Sequence, residues 1–241
     1  MLPNNCLQVG RNPAFSAHMR TLAIGDIHGC HTALTTLLEQ VQLQSTDKVI
    51  FLGDYVDRGP ASRAVIESLI HLSKTCSAVF LRGNHEEMML DAREEFGGLR
   101  LWKGCGGVET LLSYGAVNGQ TWIEAIPAAH WRFLERTRKY FESEAHIFVH
   151  GCVDPELAME EQSDLWLYWE NFEQIRPHRS GKRIICGHTP QRAGQINDVG
   201  FAACVDTGAV YGGWLTCLDV DSGEYWQANE NAKARAGKLA P

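Results

Sequence analysis

Side chains that could bind metal ions follow five short apolar segments of the sequence. Each segment ends abruptly in a motif that places Asp, Asn or His next to glycine, and these residues are Asp26, Asp54, Asn84, His150 and His188. They are separated by 28, 30, 66 and 38 residues, so no local structure could bring them together. Carboxylate, amide and imidazole groups without cysteine are typical ligands of a hard-to-borderline cation, which excludes a structural zinc site of thiolates.

The apolar segments have the length and composition of buried strands, and they span residues 21–24, 48–52, 78–81, 145–149 and 183–186. Helical patterns lie between them, such as the apolar face formed by Leu34, Leu37 and Val41. Strands that alternate with helices indicate βαβ units and a sheet covered by helices. Ligands of such sheets bind at the carboxyl ends of the strands, so the sequence predicts one site there.

A structural explanation exists for each of these residues taken alone. Asp and Asn beside glycine are common in turns, and Gly-Asp after a strand is often a helix N-cap. A single histidine is more often a hydrogen-bonded core residue than a ligand. This explanation loses force because it would have to apply at five successive strand ends.

Longer motifs surround these residues. They are Gly25-Asp26-Ile27-His28-Gly29, Gly53-Asp54-Tyr55-Val56-Asp57-Arg58-Gly59, Gly83-Asn84-His85-Glu86, His150 and Gly187-His188-Thr189. Together they resemble the calcineurin-like metallophosphoesterases, and within them the bacterial and phage-type phosphoprotein phosphatases. The resemblance runs over about residues 19–227. It implies an α/β (α+β) fold, a four-layer αββα sandwich of two mixed β-sheets flanked by helices, with a helical insert.

The resemblance also implies a dinuclear metal centre. One divalent ion would be held by Asp26, His28 and a bridging Asp54. The second ion would be held by Asp54, Asn84, His150 and His188. Manganese is the expected metal, with iron or zinc as alternatives, because the donor set combines oxygen and nitrogen.

The remaining motif residues are implied to act on the substrate. His85 and Asp57 would form a catalytic acid pair, and Arg58 would bind phosphate, as would Asn84 beside the metals. Residues 206–213 resemble the closing segment of the family, where Tyr211 would lie near the substrate or serve only in a turn.

The activity that follows is hydrolysis of phosphoserine and phosphothreonine in proteins. Two divalent ions about 3.5–4 Å apart hold a bridging hydroxide and place it opposite the leaving oxygen. The ions, two aspartates and the hydroxide leave a local charge of about +1, to which Arg58 adds another. A serine or threonine alkoxide leaves poorly unless it is protonated, and His85, held in its charged form by Asp57, is the expected donor.

The sequence departs from the family pattern in two places. His150-Gly151-Cys152 replaces the usual His-Ala-Gly, a small change. Trp169 stands where a second phosphate-binding arginine is expected. It would be either part of an aromatic helix in the core or an aromatic wall beside the site. Three later arginines are candidates for the missing charge, namely Arg176, Arg179 and Arg183.

Two other functions compete with the protein phosphatase. The first is a hydrolase of dinucleoside polyphosphates or other nucleotides with the same catalytic core. Bacterial relatives of that kind tend to lack the aspartate found here as Asp57, which favours the monoesterase. The second is a non-catalytic phosphopeptide-binding scaffold, which would be expected to have lost a ligand or the acid pair.

The chain is predicted to form one metallophosphoesterase domain over residues 19–228. Residues 1–18 read as a flexible leader, residues 91–140 as a helical insert and residues 229–241 as a flexible tail. Residues 201–205 and 214–220 read as further strands, and Asp221-Ser222-Gly223 as a hairpin turn before another.

The composition of the chain limits its possible binding partners and its cellular location. Of 241 residues, 44% are hydrophobic, and the net charge of −7 with no basic block argues against nucleic-acid and membrane partners. The eight cysteines form no C-x-x-C motif, and the first eighteen residues lack the apolar region of a signal peptide, so we expect reduced thiols in a cytoplasmic protein. The expected partner is a phosphorylated protein or a small phosphoester; the oligomeric state stays open.

Overall fold

Two sheets form the centre of the computed structural model, which describes residues 19–94, 98–116 and 121–240. Their strands are β1 Thr21–Ile24, β2 Lys48–Phe51, β3 Ser77–Phe80, β4 Tyr140–Glu142, β5 His146–Val149, β6 Arg183–Cys186, β7 Asn197–Asp198, β8 Ala202–Cys204, β9 Leu215–Asp219, β10 Glu224–Ala228 and β11 Ala234–Lys238. The first sheet has the order β11-β10-β9-β1-β2-β3, and the second has the order β4-β5-β6-β8-β7. The leader expected at residues 1–18 lies outside the described residues.

Both sheets are mixed, as predicted. In the first sheet β1, β2 and β3 run parallel, whereas β9, β10 and β11 add antiparallel pairs. In the second sheet β5, β6 and β8 run parallel between the antiparallel edge strands β4 and β7. The predicted strands are recovered within one or two residues, and β1 and β6 have the predicted bounds.

Helices cover the sheets. They are α1 His31–Val41, α2 Ser62–Leu72, α3 Asn84–Glu94, α4 Gly98–Trp102, α5 Val108–Ser113, α6 Trp122–Ala125, α7 Ala128–Glu135 and α8 Asp164–Trp169. A π-helical segment, Lys103–Gly107, joins α4 to α5, and Ala209–Tyr211 forms a short 3₁₀ helix. None of the described helices combines the length and the apolar character that crossing a membrane requires.

Side chains alternate between the two faces of each sheet, and three hydrophobic cores result. In β1, Leu22 and Ile24 pack against the helices on the outer side of the first sheet, whereas Ala23 faces the second sheet. In β5, Phe148 joins Ala23 in the core between the sheets, and Val149 packs outward with α8. Successive side chains of a strand point to opposite faces, so each sheet is buried on both sides. The result is the four-layer αββα sandwich that was predicted.

The expected helical insert over residues 91–140 shares the core of the first sheet. Helices α4 to α7 bring Trp102, Trp122 and Trp131 into the cluster that also contains Leu22 and Phe51. The three indole rings contact one another in series, with ring centres 5.1 and 5.6 Å apart. The described insert is therefore a continuation of the domain.

The flexible tail predicted at residues 229–241 is wrong for most of its length. Strand β11 pairs with β10 along its full length. The Asn229 side chain accepts the backbone N–H groups of Asn231 and Lys233 and closes the hairpin turn. A side chain at Gly237 would come within 2.4 Å of the Tyr225 hydroxyl, so this small residue lets the strands approach. The small and polar residues that resemble a tail are the ones that the hairpin requires.

We expect Arg235→Ala to lower the free energy of unfolding by about 1–2 kcal/mol. Arg235 donates Nε to Gln227 Oε1 at 2.6 Å and Nη2 to the Gly194 carbonyl at 2.5 Å. Urea unfolding measures the change. Lys238→Ala on the same strand is the control, and it should change stability by less than about 0.5 kcal/mol. Equal effects of the two substitutions would contradict a specific anchoring role for Arg235.

Candidate metal centre and active site

The carboxyl ends of the parallel strands meet at one edge, where both sheets deliver polar side chains. Asp26 follows β1, Asp54 follows β2, and Asn84 and His85 begin α3 after β3. The second sheet adds His150 after β5 and His188 after β6. These side chains are almost entirely buried, apart from His188, which is partly accessible. The structure thus brings together residues that are up to 162 positions apart.

Asp54 lies at the centre of this group. Its Oδ2 atom is 3.3 Å from His28 Nε2, and its Oδ1 atom is 3.4 Å from His150 Nε2. Asn84 Oδ1 is 3.0 Å from His150 Nε2 and 3.2 Å from His188 Nδ1. Two sets of ligand atoms result, each within 4.8 Å, and Asp54 belongs to both: His28, Asp54 and His85 in one, and Asp54, His150 and His188 in the other.

Backbone carbonyl groups fix the tautomers of three histidines. His28 Nδ1 lies 2.9 Å from the Val56 carbonyl, and His150 Nδ1 lies 3.0 Å from the Leu52 carbonyl. His188 Nε2 lies 3.1 Å from the Trp169 carbonyl. A carbonyl only accepts, so each of these nitrogens carries the proton and the other ring nitrogen presents its lone pair to the centre.

The charge states also suit metal binding. Burial lowers the pKa of His28 to about 3 and that of His150 to about 4, and it lowers the pKa of His188 as well. These histidines are therefore neutral near pH 7. Burial opposes ionisation of Asp54, but the facing histidines outweigh it and lower the pKa of this carboxyl. Neutral imidazoles around a shared carboxylate are a donor set that fits two divalent cations.

Asp26 is beside the centre but outside both sets of ligand atoms. Its carboxylate accepts the backbone N–H of His188, with distances of 3.2 and 3.1 Å to its two oxygens. Burial, together with Asp206 and Asp54, raises the pKa of Asp26 well above its usual range. Its role as a ligand of the first ion stays a prediction.

Asp206 is a site residue that sequence reasoning missed. It follows β8 as the other acidic residues follow their strands, and it is buried. The sequence does indicate this residue, because Asp206 directly follows the strand predicted over residues 201–205.

The acid pair is in direct contact. His85 Nδ1 lies 2.7 Å from Asp57 Oδ2, and both side chains are buried. His85 Nε2 has no hydrogen-bond partner among the described residues and lies 3.9 Å from Asp54 Oδ2. Burial opposes the charged imidazolium, but Asp54 and Asp57 outweigh it and raise the pKa of His85. This pair can hold a proton at Nε2, beside the metal ligands.

The helical insert supports Asp57. Trp102 Nε1 donates to Asp57 Oδ2 at 2.8 Å, and the Thr110 hydroxyl donates to Asp57 Oδ1 at 2.7 Å. The Asp57 N–H in turn donates to Thr110 Oγ1 and to Ser62 Oγ, at 2.8 and 3.1 Å. Sequence reasoning missed Trp102 and Thr110, because no motif marks them.

Arg58 and Tyr211 meet at the edge of the centre. Arg58 Nη1 donates to His28 Nε2 at 2.7 Å, and its guanidinium carbon is 5.7 Å from the centre of the Tyr211 ring. Tyr211 is 44% exposed. The predicted phosphate-binding arginine and the predicted substrate-contacting tyrosine are therefore neighbours.

Trp169 ends α8 beside His188 and is not packed in the core. The residue is 39% exposed, and its Nε1 atom donates to Glu87 Oε2 at 2.9 Å. Three arginines were candidates to supply the missing charge, but in the structure each of them contacts other groups. Arg176 and Arg179 donate to the backbone carbonyls of Glu173, Ile175 and Glu156, and Arg183 pairs with Asp198 at 2.8 Å.

The fold, the shared aspartate and the carbonyl-oriented histidines define a metal-dependent phosphoesterase scaffold. Residues 19–217 match the model of the calcineurin-like phosphoesterase family, and the chain belongs to this family.

The relatives that match this chain carry names for two different activities. The chain is 29% identical to serine/threonine-protein phosphatase 1 of Salmonella typhimurium, covering 80% of this chain and 88% of that protein. It is 25% identical to a symmetrical bis(5'-nucleosyl)-tetraphosphatase of Pseudomonas putida, covering 86% and 92%. It is 27% identical to an asymmetrical bis(5'-nucleosyl)-tetraphosphatase of Halalkalibacterium halodurans, covering 81% and 87%.

Solved structures share the fold at low sequence identity. A protein proposed to be a diadenosine tetraphosphatase superimposes with a TM-score of 0.63 at 18% identity, covering 92% of this chain and 95% of that one. A cold-active protein tyrosine phosphatase gives a TM-score of 0.62 at 17% identity, with coverages of 90% and 78%. These similarities support the αββα architecture alone.

We expect two divalent ions per chain, with manganese restoring activity best after chelation. Asp54→Asn should reduce bound metal to near zero, because it alters the carboxylate common to both sets of ligand atoms. His150→Asn should leave one ion. Elemental analysis after dialysis against manganese measures both, and Asp221→Asn on the surface is the matched control. At most one ion in the active unmodified protein would contradict the dinuclear centre.

We expect Trp169→Arg to lower KM for p-nitrophenyl phosphate about threefold to tenfold, by adding a charged hydrogen-bond donor beside the site. The new guanidinium would lie near Glu87, so the double variant Trp169→Arg with Glu87→Gln should show the larger effect. Trp169→Phe keeps an aromatic ring and serves as control. Unchanged KM values in both arginine variants would mean that this position does not reach the phosphate.

Proposed function

We propose that the protein is a phosphomonoesterase that hydrolyses phosphoserine and phosphothreonine in proteins, with two divalent ions as cofactors. The buried Asp57–His85 pair supports this most directly, because His85 Nε2 lacks a partner and faces the metal-ligand group. Such a pair is suited to protonating a basic leaving oxygen. When bound, the ions would lower the pKa of a shared water and neutralise charge on the phosphate.

The side chains of this protein would divide the remaining work. We expect Arg58 to bind two phosphate oxygens with its planar guanidinium, once it turns from His28. Asn84 keeps its side-chain oxygen toward His150 and His188, which leaves its amide N–H₂ group for a substrate oxygen. Asp57 orients His85 and favours its protonated form. Trp102 and Thr110 hold Asp57 in turn.

One observation favours a protein substrate. The acid pair is complete and hydrogen-bonded at 2.7 Å, as hydrolysis of an alkyl phosphoester requires. A non-catalytic phosphopeptide-binding scaffold is disfavoured because both sets of ligand atoms and the acid pair are present.

Hydrolysis of dinucleoside polyphosphates is the second candidate. The relatives with that name match this chain at 25% and 27% identity, close to the identity of the protein phosphatase. The exposed ring of Trp169 offers a surface on which a nucleobase could stack. Assays of phosphopeptides and dinucleoside polyphosphates with added manganese would separate the two activities.

We also propose manganese as the metal and the cytoplasm as the location. The mixed nitrogen and oxygen donors suit Mn²⁺ and Fe²⁺, with Zn²⁺ as a further alternative. The seven cysteines among the described residues are free thiols, and Cys186 and Cys204 are buried in the core. Unpaired cysteines are typical of a reducing compartment.

We expect His85→Asn to reduce kcat/KM for a phosphoserine peptide by about 10²–10⁴-fold. The loss for p-nitrophenyl phosphate should be far smaller, because p-nitrophenolate leaves without a proton. Asp57→Asn should show the same pattern more mildly, since the imidazole remains. Steady-state kinetics on both substrates with manganese measures the difference.

Asp221→Asn on the surface is the control, because it leaves the acid pair and the donors to Asp57 intact. Bound metal should stay at two ions in all three variants. Equal losses on both substrates with metal retained would mean that His85 does not donate the proton. Loss of metal in His85→Asn would place His85 among the ligands, as its position in the first set of ligand atoms allows.

A further inference from the structure

We propose that Arg192, stacked on Tyr211, forms a second anion-binding subsite that recognises an acidic residue two positions from the phosphorylated residue of a substrate. The inference rests on the proposed protein phosphatase activity and names a substrate class for it. It concerns an arginine outside the motifs, four residues after His188.

Two arginines, Arg192 and Arg58, place their guanidinium groups near the ring of Tyr211. The guanidinium carbon of Arg192 is 4.4 Å from the ring centre, and that of Arg58 is 5.7 Å from it. The two cations therefore cannot be further apart than the sum of these distances. Residues two apart in an extended peptide point the same way and are separated by about 7 Å. A phosphorylated side chain at Arg58 would thus place a second side chain within reach of Arg192.

Neither cation is held by a direct ion pair within the described part of the chain. Among residues 19–94, 98–116 and 121–240, neither Arg58 nor Arg192 forms an ion pair with a carboxylate. Arginines elsewhere in the described chain do, such as Arg63 with Glu67 and Arg183 with Asp198. In a chain of net charge −7, two unpaired guanidinium groups at one tyrosine form a local cationic surface. Such a surface attracts anions.

The loop that carries Arg192 is anchored on both sides. The Gln191 N–H donates to the Asp206 carbonyl at 2.8 Å. The Gly194 carbonyl accepts Gln227 Nε2 at 3.2 Å and Arg235 Nη2 at 2.5 Å. Binding therefore does not have to order the backbone, which lowers the entropic cost of using Arg192.

The contacts of the two arginines separate their tasks. Arg58 donates to His28, so it lies against the metal-ligand group and would bind the phosphate that reacts. Arg192 contacts Tyr211 and none of the predicted ligands among the described residues. It is exposed, so a second group of the substrate can reach it. This arrangement suits a contact that adds to substrate binding without taking part in the reaction.

The test uses the manganese-loaded protein and phosphoserine peptides with Glu two residues before or two residues after the phosphoserine. Matched peptides carry Gln at the same positions. The unmodified protein should prefer one Glu peptide about threefold to tenfold in kcat/KM, mainly through KM. Arg192→Gln should abolish this preference and leave p-nitrophenyl phosphate hydrolysis unchanged. Arg132→Gln, in a separate groove lined by Ile70 and Lys74, should retain the preference.

The proposal is overturned if no Glu peptide is preferred, or if Arg192→Gln retains the preference. It is also overturned if Arg192→Gln impairs all substrates equally, since Arg192 would then bind the reacting phosphate. Inhibition of p-nitrophenyl phosphate hydrolysis by the same peptides separates the two hypotheses. Peptides that inhibit with an Arg192-dependent Glu preference but are not hydrolysed would support the subsite and refute the proposed protein phosphatase activity.

Discussion

The site depends first on one buried carboxylate, that of Glu86. Its Oε1 atom accepts the N–H groups of Tyr55 and Val56 at 2.7 and 3.2 Å. Its Oε2 atom accepts those of Asp54 and Gly83 at 2.7 and 3.0 Å. Burial raises the pKa of Glu86 to about 8, but four donors match the ionised form, which accepts at both oxygens. The loops after β2 and β3 are thereby tied together, and the side chain of Asp54 is held where both sets of ligand atoms share it.

This fixation matters because the site is built from unfavourable backbone conformations. Five of its residues have φ between 46° and 73°, namely His28, Asp54, Asp57, Arg58 and His188. For residues with a Cβ atom, this region costs about 1–2 kcal/mol each. Such conformations persist only where the surroundings hold them. The surroundings here are the Glu86 carboxylate, the helical insert around Asp57 and the core between the two sheets, which sets the distance from Asp54 to His150.

The sequence predicts the parts of the site that adjoin strands, because a buried strand is visible as an apolar segment and its ligand follows directly. It does not predict parts that depend on distant contacts. Trp102 and Thr110 bond to Asp57 from 45 and 53 residues away, and nothing in their local pattern marks them. The sequence predicts a tail where strand β11 lies, because the small residues of this strand matter only against β10. No local pattern marks Arg192 either, since the Gly194–Arg235 contact that anchors its loop spans 41 residues.

We expect substrate specificity to be decided at the rim of the site, outside the residues of the family motifs. Relatives named as protein phosphatases and as tetraphosphatases match this chain almost equally, so overall similarity does not distinguish their substrates. The rim has two chemically different parts. Beside His188, Trp169 presents an aromatic ring bonded to the Glu87 carboxylate, and beside Arg58, Tyr211 presents a ring with Arg192. The Glu87 carboxylate beside Trp169 would repel the negative groups of a substrate, whereas the Arg192 guanidinium beside Tyr211 would attract them. A charged substrate would therefore bind in the one direction that places its negative groups on Arg192.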